Sequence, residues 1–190
     1  IMSLNFKAVT FTNFGYKEFT HNLISSVNQN NVDLDIEVHT LDDESYDFFK
    51  HNHNSVFKLE NSNITKEFLG QKSENFGDMM MKKFQLIFTS LQESDYVLYI
   101  DGDIVIKKSI QKYLFKNTKY KDIIFQNDKR PSKPNLINLC AGFMLIKSNK
   151  KTLKFFNPEN ISLNKFNNLS THDQTYINRN KSKFNYSVLP

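Results

Sequence analysis

Residues 96–106 read YVLYIDGDIVI, two apolar runs separated by Asp101, Gly102 and Asp103. An Asp-Gly pair between strand-like runs is the strongest short-range signal for a two-residue hairpin, and a hairpin would reduce the acidic triplet to a turn. The first run argues otherwise. Residues 96–100 are apolar throughout, whereas a half-exposed hairpin strand alternates, so the pattern predicts a strand covered by helices on both faces. Such a strand belongs to an α/β sheet, whose ligands bind at the carboxyl ends of the strands, and Asp101 and Asp103 then stand at such an end. In an extended segment residues two apart point the same way. Both carboxylates are therefore expected to face one ion, with Gly102 leaving room for a ligand.

The surrounding sequence supports an α/β domain. Strand-like runs at 6–12, 35–41 and 55–60 alternate with helix-like stretches at 16–30, 42–51 and roughly 75–92. Beyond the central strand come a short helix near 109–115, strands at 121–126 and 140–146, a helix over 171–180 and a last strand at 184–190. Strand and helix taking turns predicts a mixed, mostly parallel sheet with helices on both faces. With no repeat, linker or composition shift, residues 1–190 read as one domain, whole or cut from a longer protein.

Composition narrows the class. With 39% hydrophobic and 14% aromatic residues the chain can build a packed core, and eighteen Phe with no Trp predict a phenylalanine-rich one. The net charge of +5 is almost all lysine, which suits a solvated surface or an anionic substrate. Only Arg130 and Arg179 are arginines, few for phosphate and base recognition, so no nucleic-acid partner is expected. Cys140 stands alone within an apolar run, which excludes an internal disulfide and reads as a buried thiol in a reducing, cytoplasmic setting. No run is long enough to span a bilayer and no charged-then-apolar leader opens the chain, Ile1 before Met2 reading as an added residue.

Two aspartates without neighbouring Cys or His suit a hard divalent cation, Mn²⁺ or Mg²⁺, shared with substrate phosphates. A buried strand ending in D-x-D resembles the metal site of nucleotide-diphospho-sugar glycosyltransferases of the GT-A fold, in their retaining branch, which includes enzymes of large DNA viruses that decorate capsids. Three further segments share the resemblance. The loop FTNFGYKEF after the first strand is similar to the family's base and ribose segment, which implies that Thr12, Asn13 and Tyr16 lie near the base. The helix FGDMMMKKFQLIFTSL has an apolar face through Met80, Phe84, Ile87, Phe88 and Leu91, with Lys82 toward solvent and Lys83 at the edge. In the family a basic residue on this helix reaches the donor phosphates, a role that falls to Lys83. The run NLCAGFMLIKSN resembles the strand facing the donor sugar, where Ala141 and Gly142 are small enough for close approach. THDQTYIN resembles the family's D-Q motif, which implies that Asp173 accepts hydrogen bonds from sugar hydroxyls and that Gln174 lies near the anomeric carbon.

The resemblance implies a metal-dependent hexosyltransferase that moves a sugar from a nucleoside diphosphate sugar, a UDP-sugar above all, to a glycan or glycoprotein hydroxyl. In a virus the setting would be host cytoplasm. Each segment also has a plain structural reading: a strand-to-helix turn for Asn-Phe-Gly, a surface lysine for Lys83, strand–helix packing for Gly142, and a helix start capped by Thr171 for the D-Q pair. The histidine that completes the metal site in many relatives has no counterpart here. His172 is nearest to a motif, and His51 and His53 read as surface. A nucleotidyltransferase on a similar sheet, a nucleotide- or nucleic-acid-binding domain and a purely structural domain remain the alternatives.

Overall fold

The computed structural model describes residues 6–59, 66–68, 76–118, 120–129, 132, 135–161 and 172–189. Seven strands form one sheet: β1 (Lys7–Thr12), β2 (Ile36–Thr40), β3 (Val56–Lys58), β4 (Tyr96–Ile100), β5 (Ile123–Asn127), β6 (Leu139–Lys147) and β7 (Tyr186–Leu189). Their order is β3-β2-β1-β4-β6-β5-β7. The helices are α1 (Lys17–Gln29), α2 (Asp43–Lys50), α3 (Phe76–Glu93), α4 (Gln111–Asn117), α5 (Lys150–Phe156) and α6 (Asp173–Arg179).

The central run behaves as its composition demands. Val97, Leu98, Tyr99 and Ile100 are all 0% exposed. Val97 and Tyr99 join the core under α3, α5 and α6, while Leu98 and Ile100 join the opposite core under α1, α2 and α4. Each buried apolar side chain contributes roughly 1.5–3 kcal/mol, so a run apolar at every position is stable only where both faces are covered. The first core is the phenylalanine-rich one. Phe84 packs within 6.3 Å of Phe155, Phe156 and Tyr176, centroid to centroid.

β4 is not half of a hairpin. It pairs parallel to β1 and antiparallel to β6. The segment after it is nevertheless not extended. Ile104 N–H donates to the Asp101 carbonyl at 3.2 Å and the chain turns at Gly102–Asp103. The expected side-by-side projection of the two carboxylates along a strand is thus replaced by a turn that starts from a buried strand end.

Six strands run the same way and β6 runs against them. That reversal brings the beginning of β6 to the carboxyl end of β4, where Asp101 N–H donates to the Gly142 carbonyl at 2.7 Å. Helix α5, unexpected from the sequence, follows β6. It opens on a capping box in which Asn149 Oδ1 accepts from the Lys151 and Thr152 amides and Thr152 Oγ1 accepts from the Asn149 amide. The α6 cap is His172, whose side chain makes no capping bond; Thr171, the expected cap, lies outside the described residues.

Candidate active site

A cleft of about 780 Å³ opens where the carboxyl ends of β1, β4 and β5 meet the beginning of β6 and the start of α6. Its walls include every residue singled out from the sequence: Thr12, Asn13 and Tyr16 after β1, Lys83 on α3, Asp101, Gly102 and Asp103 after β4, Ala141 and Gly142 on β6, and Asp173 and Gln174 on α6. Residues separated by up to 162 positions in the chain come together because parallel strands place their ends side by side.

At the floor lies a charged network. Lys83 is 1% exposed, not an edge lysine, and its ammonium donates to Asp173 Oδ2 at 2.6 Å and to Asp101 Oδ1 at 3.1 Å. It also sits 4.5 Å from the centre of the Tyr99 ring, while the Tyr99 hydroxyl donates to Asp101 Oδ1 at 2.5 Å. Burial works against the lysine's charge, yet the carboxylates of Asp101 and Asp173 overcome it and push its pKa up to about 12. Burial likewise opposes ionisation of Asp173, but Lys83, His172 and the Gln174 backbone hold it well below the usual carboxylate range. Asp101 differs. Burial and the like charge of Asp173 outweigh Lys83 and raise its pKa.

The glycines have distinct reasons. A Cβ on Gly142 would lie 2.7 Å from Asp101 Oδ2, so glycine keeps that face of the carboxylate clear. A Cβ on Gly102 would strike Thr20 Oγ1 on α1 at 2.5 Å, so glycine at this cleft-lining position also lets the turn pack against that helix. On Gly15 a Cβ would meet the Phe68 backbone nitrogen, because residues 66–68 cross directly over the β1–α1 loop.

That crossing fixes the loop. Asn13 is 0% exposed; its Oδ1 accepts from the Tyr16 amide and its Nδ2 donates to the Glu67 carbonyl at 2.9 Å. Thr12 is buried as well, and its hydroxyl donates to the Asn13 carbonyl. Tyr16 turns its ring against Phe68 with centroids 4.4 Å apart, and burial followed by Asp101 and Asp103 raises its pKa.

Helix α6 is clamped to β6. Gln174 Oε1 accepts from the Ala141 amide at 3.3 Å while its Nε2 donates to Asp128 Oδ2 at 2.9 Å. Asn178 donates to the Leu139 carbonyl and accepts from the Leu139 amide. Asp128 and Tyr99 are site residues that sequence reasoning passed over. Tyr99 carried a usable signal, since it lies two residues before Asp101 on the same face of the strand. Cys140 is half-buried and lines the cleft rather than lying in the core. Of the histidines, His53 bonds the Ile36 carbonyl at 2.6 Å, His51 is exposed, and His172 lies 3.7 Å from Asp173.

The nucleotide-diphospho-sugar transferase family matches residues 35–187. The chain belongs to that family. A UDP-galactose:fucoside alpha-3-galactosyltransferase of Dictyostelium discoideum is 25% identical over 185 residues, covering 80% of this chain, which in turn spans 28% of that relative's length. The galactosyltransferase LgtC, solved with donor and acceptor sugar analogues, superposes with a TM-score of 0.60 at 13% identity over 96% of this chain and 72% of its own. GlyE, a glycosyltransferase of Streptococcus pneumoniae, gives a TM-score of 0.62 at 16% identity over 98% of this chain and 46% of its own. Likeness at that identity establishes the fold, and it is GT-A. Among the described residues no three His, Cys, Asp or Glu side chains form a metal-binding group, and no helix is long and apolar enough to cross a membrane.

Proposed function

We propose that the chain transfers a sugar from a UDP-sugar to an acceptor hydroxyl with retention of anomeric configuration, using a divalent cation, Mn²⁺ or Mg²⁺, held by Asp101 and Asp103. The observation that carries the reading is the ion-paired floor of the cleft, where Lys83 ties Asp101 to Asp173 beneath a space kept open by Gly142. The named activity of the Dictyostelium relative, α-linked transfer from UDP-galactose, supports the donor class and retention.

The residues suit a hard cation. Lys83 and Tyr99 come closest to Oδ1 of Asp101, whereas Oδ2 faces the space where Gly142 has no Cβ, and the Asp101 side chain retains 37% exposure. Asp103 is exposed at the same turn and offers further oxygens. Ligation by two carboxylates leaves the remaining positions to diphosphate oxygens and water, which such an ion accepts. When bound, the cation would offset the charge that builds on the diphosphate leaving group.

The chain's own residues supply the rest. Asp173, held ionised by Lys83, accepts hydrogen bonds from donor-sugar hydroxyls. Gln174 has both ends of its amide engaged, by Ala141 and Asp128, so its plane is set beside the sugar before substrate arrives. Lys83 acts as a positioning residue, since reaching a phosphate would take its ammonium away from both carboxylates. Tyr16, backed by Phe68, presents an aromatic face to the base, while Thr12 and Asn13 hold the loop that carries it.

The test combines two measurements on the chain with a set of UDP-sugars, each with and without Mn²⁺. Release of UDP that requires the cation is expected, with a product anomer, read by NMR, matching the donor's. Pyrophosphate release in place of UDP would sink the reading in favour of nucleotidyl transfer, and the opposite anomer would sink retention.

A further inference from the structure

Residues 104–121 hold six lysines and neither Asp nor Glu, a charge of +6 in a chain whose total is +5. We infer that this segment, which runs from the turn after β4 through α4, docks on a lipid bilayer that carries acidic phospholipids. The inference stands apart from the transfer reaction and gives the protein a further partner.

The fold turns these charges outward. Ile106 is tied to α1, its amide donating to Ser26 Oγ at 2.9 Å and its carbonyl accepting from Asn30 Nδ2 at 3.1 Å, while Ile110 and the fully buried Leu114 seat α4 on the core beneath. Lys112 and Lys116, one helical turn apart, lie opposite that apolar ridge, and Lys107 and Lys108 precede the helix; all four are exposed. Among the described residues none of the four meets a carboxylate, whereas Lys7, Lys50, Lys58, Lys66 and Lys151 each do. Asp33 touches α4 through its carbonyl, at Gln111, about 100° around the helix from Lys112. The positive face is left for an outside anion.

Lipid suits this face better than nucleic acid does. Val105 and Tyr113 are each 47% exposed and Tyr120 is 81% exposed, so apolar and amphipathic side chains are interspersed with the ammonium groups, the mixture that settles at a headgroup boundary. The segment has no arginine, the residue that grips single phosphates with paired hydrogen bonds; the point charge of lysine needs only a diffuse negative field. Ile104, where the segment begins, also lines the cleft, so docking brings the rim of the cleft to the bilayer.

The test sediments the full chain with mixed phosphatidylserine and phosphatidylcholine vesicles, with phosphatidylcholine vesicles alone, and measures its binding to a single-stranded RNA oligonucleotide, all at about 0.15 M salt, where distant charges are screened. Binding that requires phosphatidylserine is expected. A lysine near such a surface is worth about fivefold in partitioning, so Lys107→Gln, Lys108→Gln, Lys112→Gln and Lys116→Gln together should weaken binding roughly 500-fold. Lys150→Gln, Lys154→Gln, Lys181→Gln and Lys183→Gln together make the same change of charge at exposed positions around the opposite core and should leave binding as in the parent. Failure of the parent to bind the mixed vesicles, equal binding to phosphatidylcholine alone, or an equal loss in both quadruple variants would overturn the docking face. Tighter binding to the RNA than to the vesicles would overturn it in favour of nucleic acid.

Discussion

Asp101 draws together the strand, the turn and the chemistry. Its Oδ1 accepts from Tyr99 and takes the shorter Lys83 bond, while Oδ2, 3.4 Å from the same ammonium, turns toward Gly142. Asp101→Asn keeps the size and removes the charge, and turnover is expected to fall on the order of a hundredfold or more, as when a single electrostatic stabiliser is lost. Steady-state kinetics at saturating Mn²⁺ checks this. Lys83→Met should act differently, because it leaves the buried Asp173 and the half-buried Asp101 facing each other without their cation; the expected loss is about 3 kcal/mol of stability, the low end for a broken buried pair because solvent reaches Asp101, read by denaturant titration. A variant as stable as the parent would show that the ammonium contributes nothing to the floor. Gly142→Ala places a methyl 2.7 Å from Asp101 Oδ2, so the carboxylate must move. Activity and metal affinity should drop while stability changes by no more than about 1–3 kcal/mol, the usual cost of overpacking.

Among the elements, the β5–β6–β7 edge depends on a clasp at Asp122. Its Oδ1 accepts from the Asn149 side chain at 2.9 Å, and its Oδ2 accepts from the Asn185 amide at 2.7 Å and from Lys151 at 3.3 Å. One carboxylate thus joins the start of β5, the cap of α5 and the approach to β7. Burial opposes its charge, but these donors hold its pKa below the ordinary 3.8. A lowered folded-state value means stability present above about pH 3.8 and lost as pH falls through the depressed value. Asp122→Asn should therefore cost roughly 1.5–3 kcal/mol at neutral pH, and its stability should respond less to pH in that acid window than the parent's. Thermal melts from pH 2 to 7 decide it; parallel curves would remove the clasp.

Legibility also varied by element. The long periodic helix α3 and the wholly apolar β4 were plain in the sequence because burial on one face or two leaves a compositional trace. Helix α5 was not, although Asn149 and Thr152 stand at capping-box spacing, because seven residues show barely two turns of periodicity. The acidic triplet is a turn rather than an extended segment, since Asp-Gly-Asp is compatible with both and the neighbouring β6 decides between them.

The cleft proposed to hold the donor lies along the carboxyl edge of the whole sheet, so ligand should report on the entire fold. A nucleoside diphosphate bound only to the native state adds stability that grows with concentration, about 2.7 kcal/mol at a hundred times Kd. UDP with Mn²⁺ should raise Tm, and UDP alone should raise it less. Equal shifts with and without the cation would argue against Asp101 and Asp103 as its ligands.

By itself the sequence determined the alternation of strands and helices, the burial of residues 97–100 on both faces and the chemical character of the candidate residues, because each depends on neighbours only a few positions away. Tertiary structure decided the rest: the reversed course of β6, the complete burial of Lys83 between Asp101 and Asp173, and the capture of Gln174 by Asp128. Those relations join positions dozens of residues apart. No local pattern encodes them, since a lysine's burial and charge are set by partners that only sheet register brings within reach.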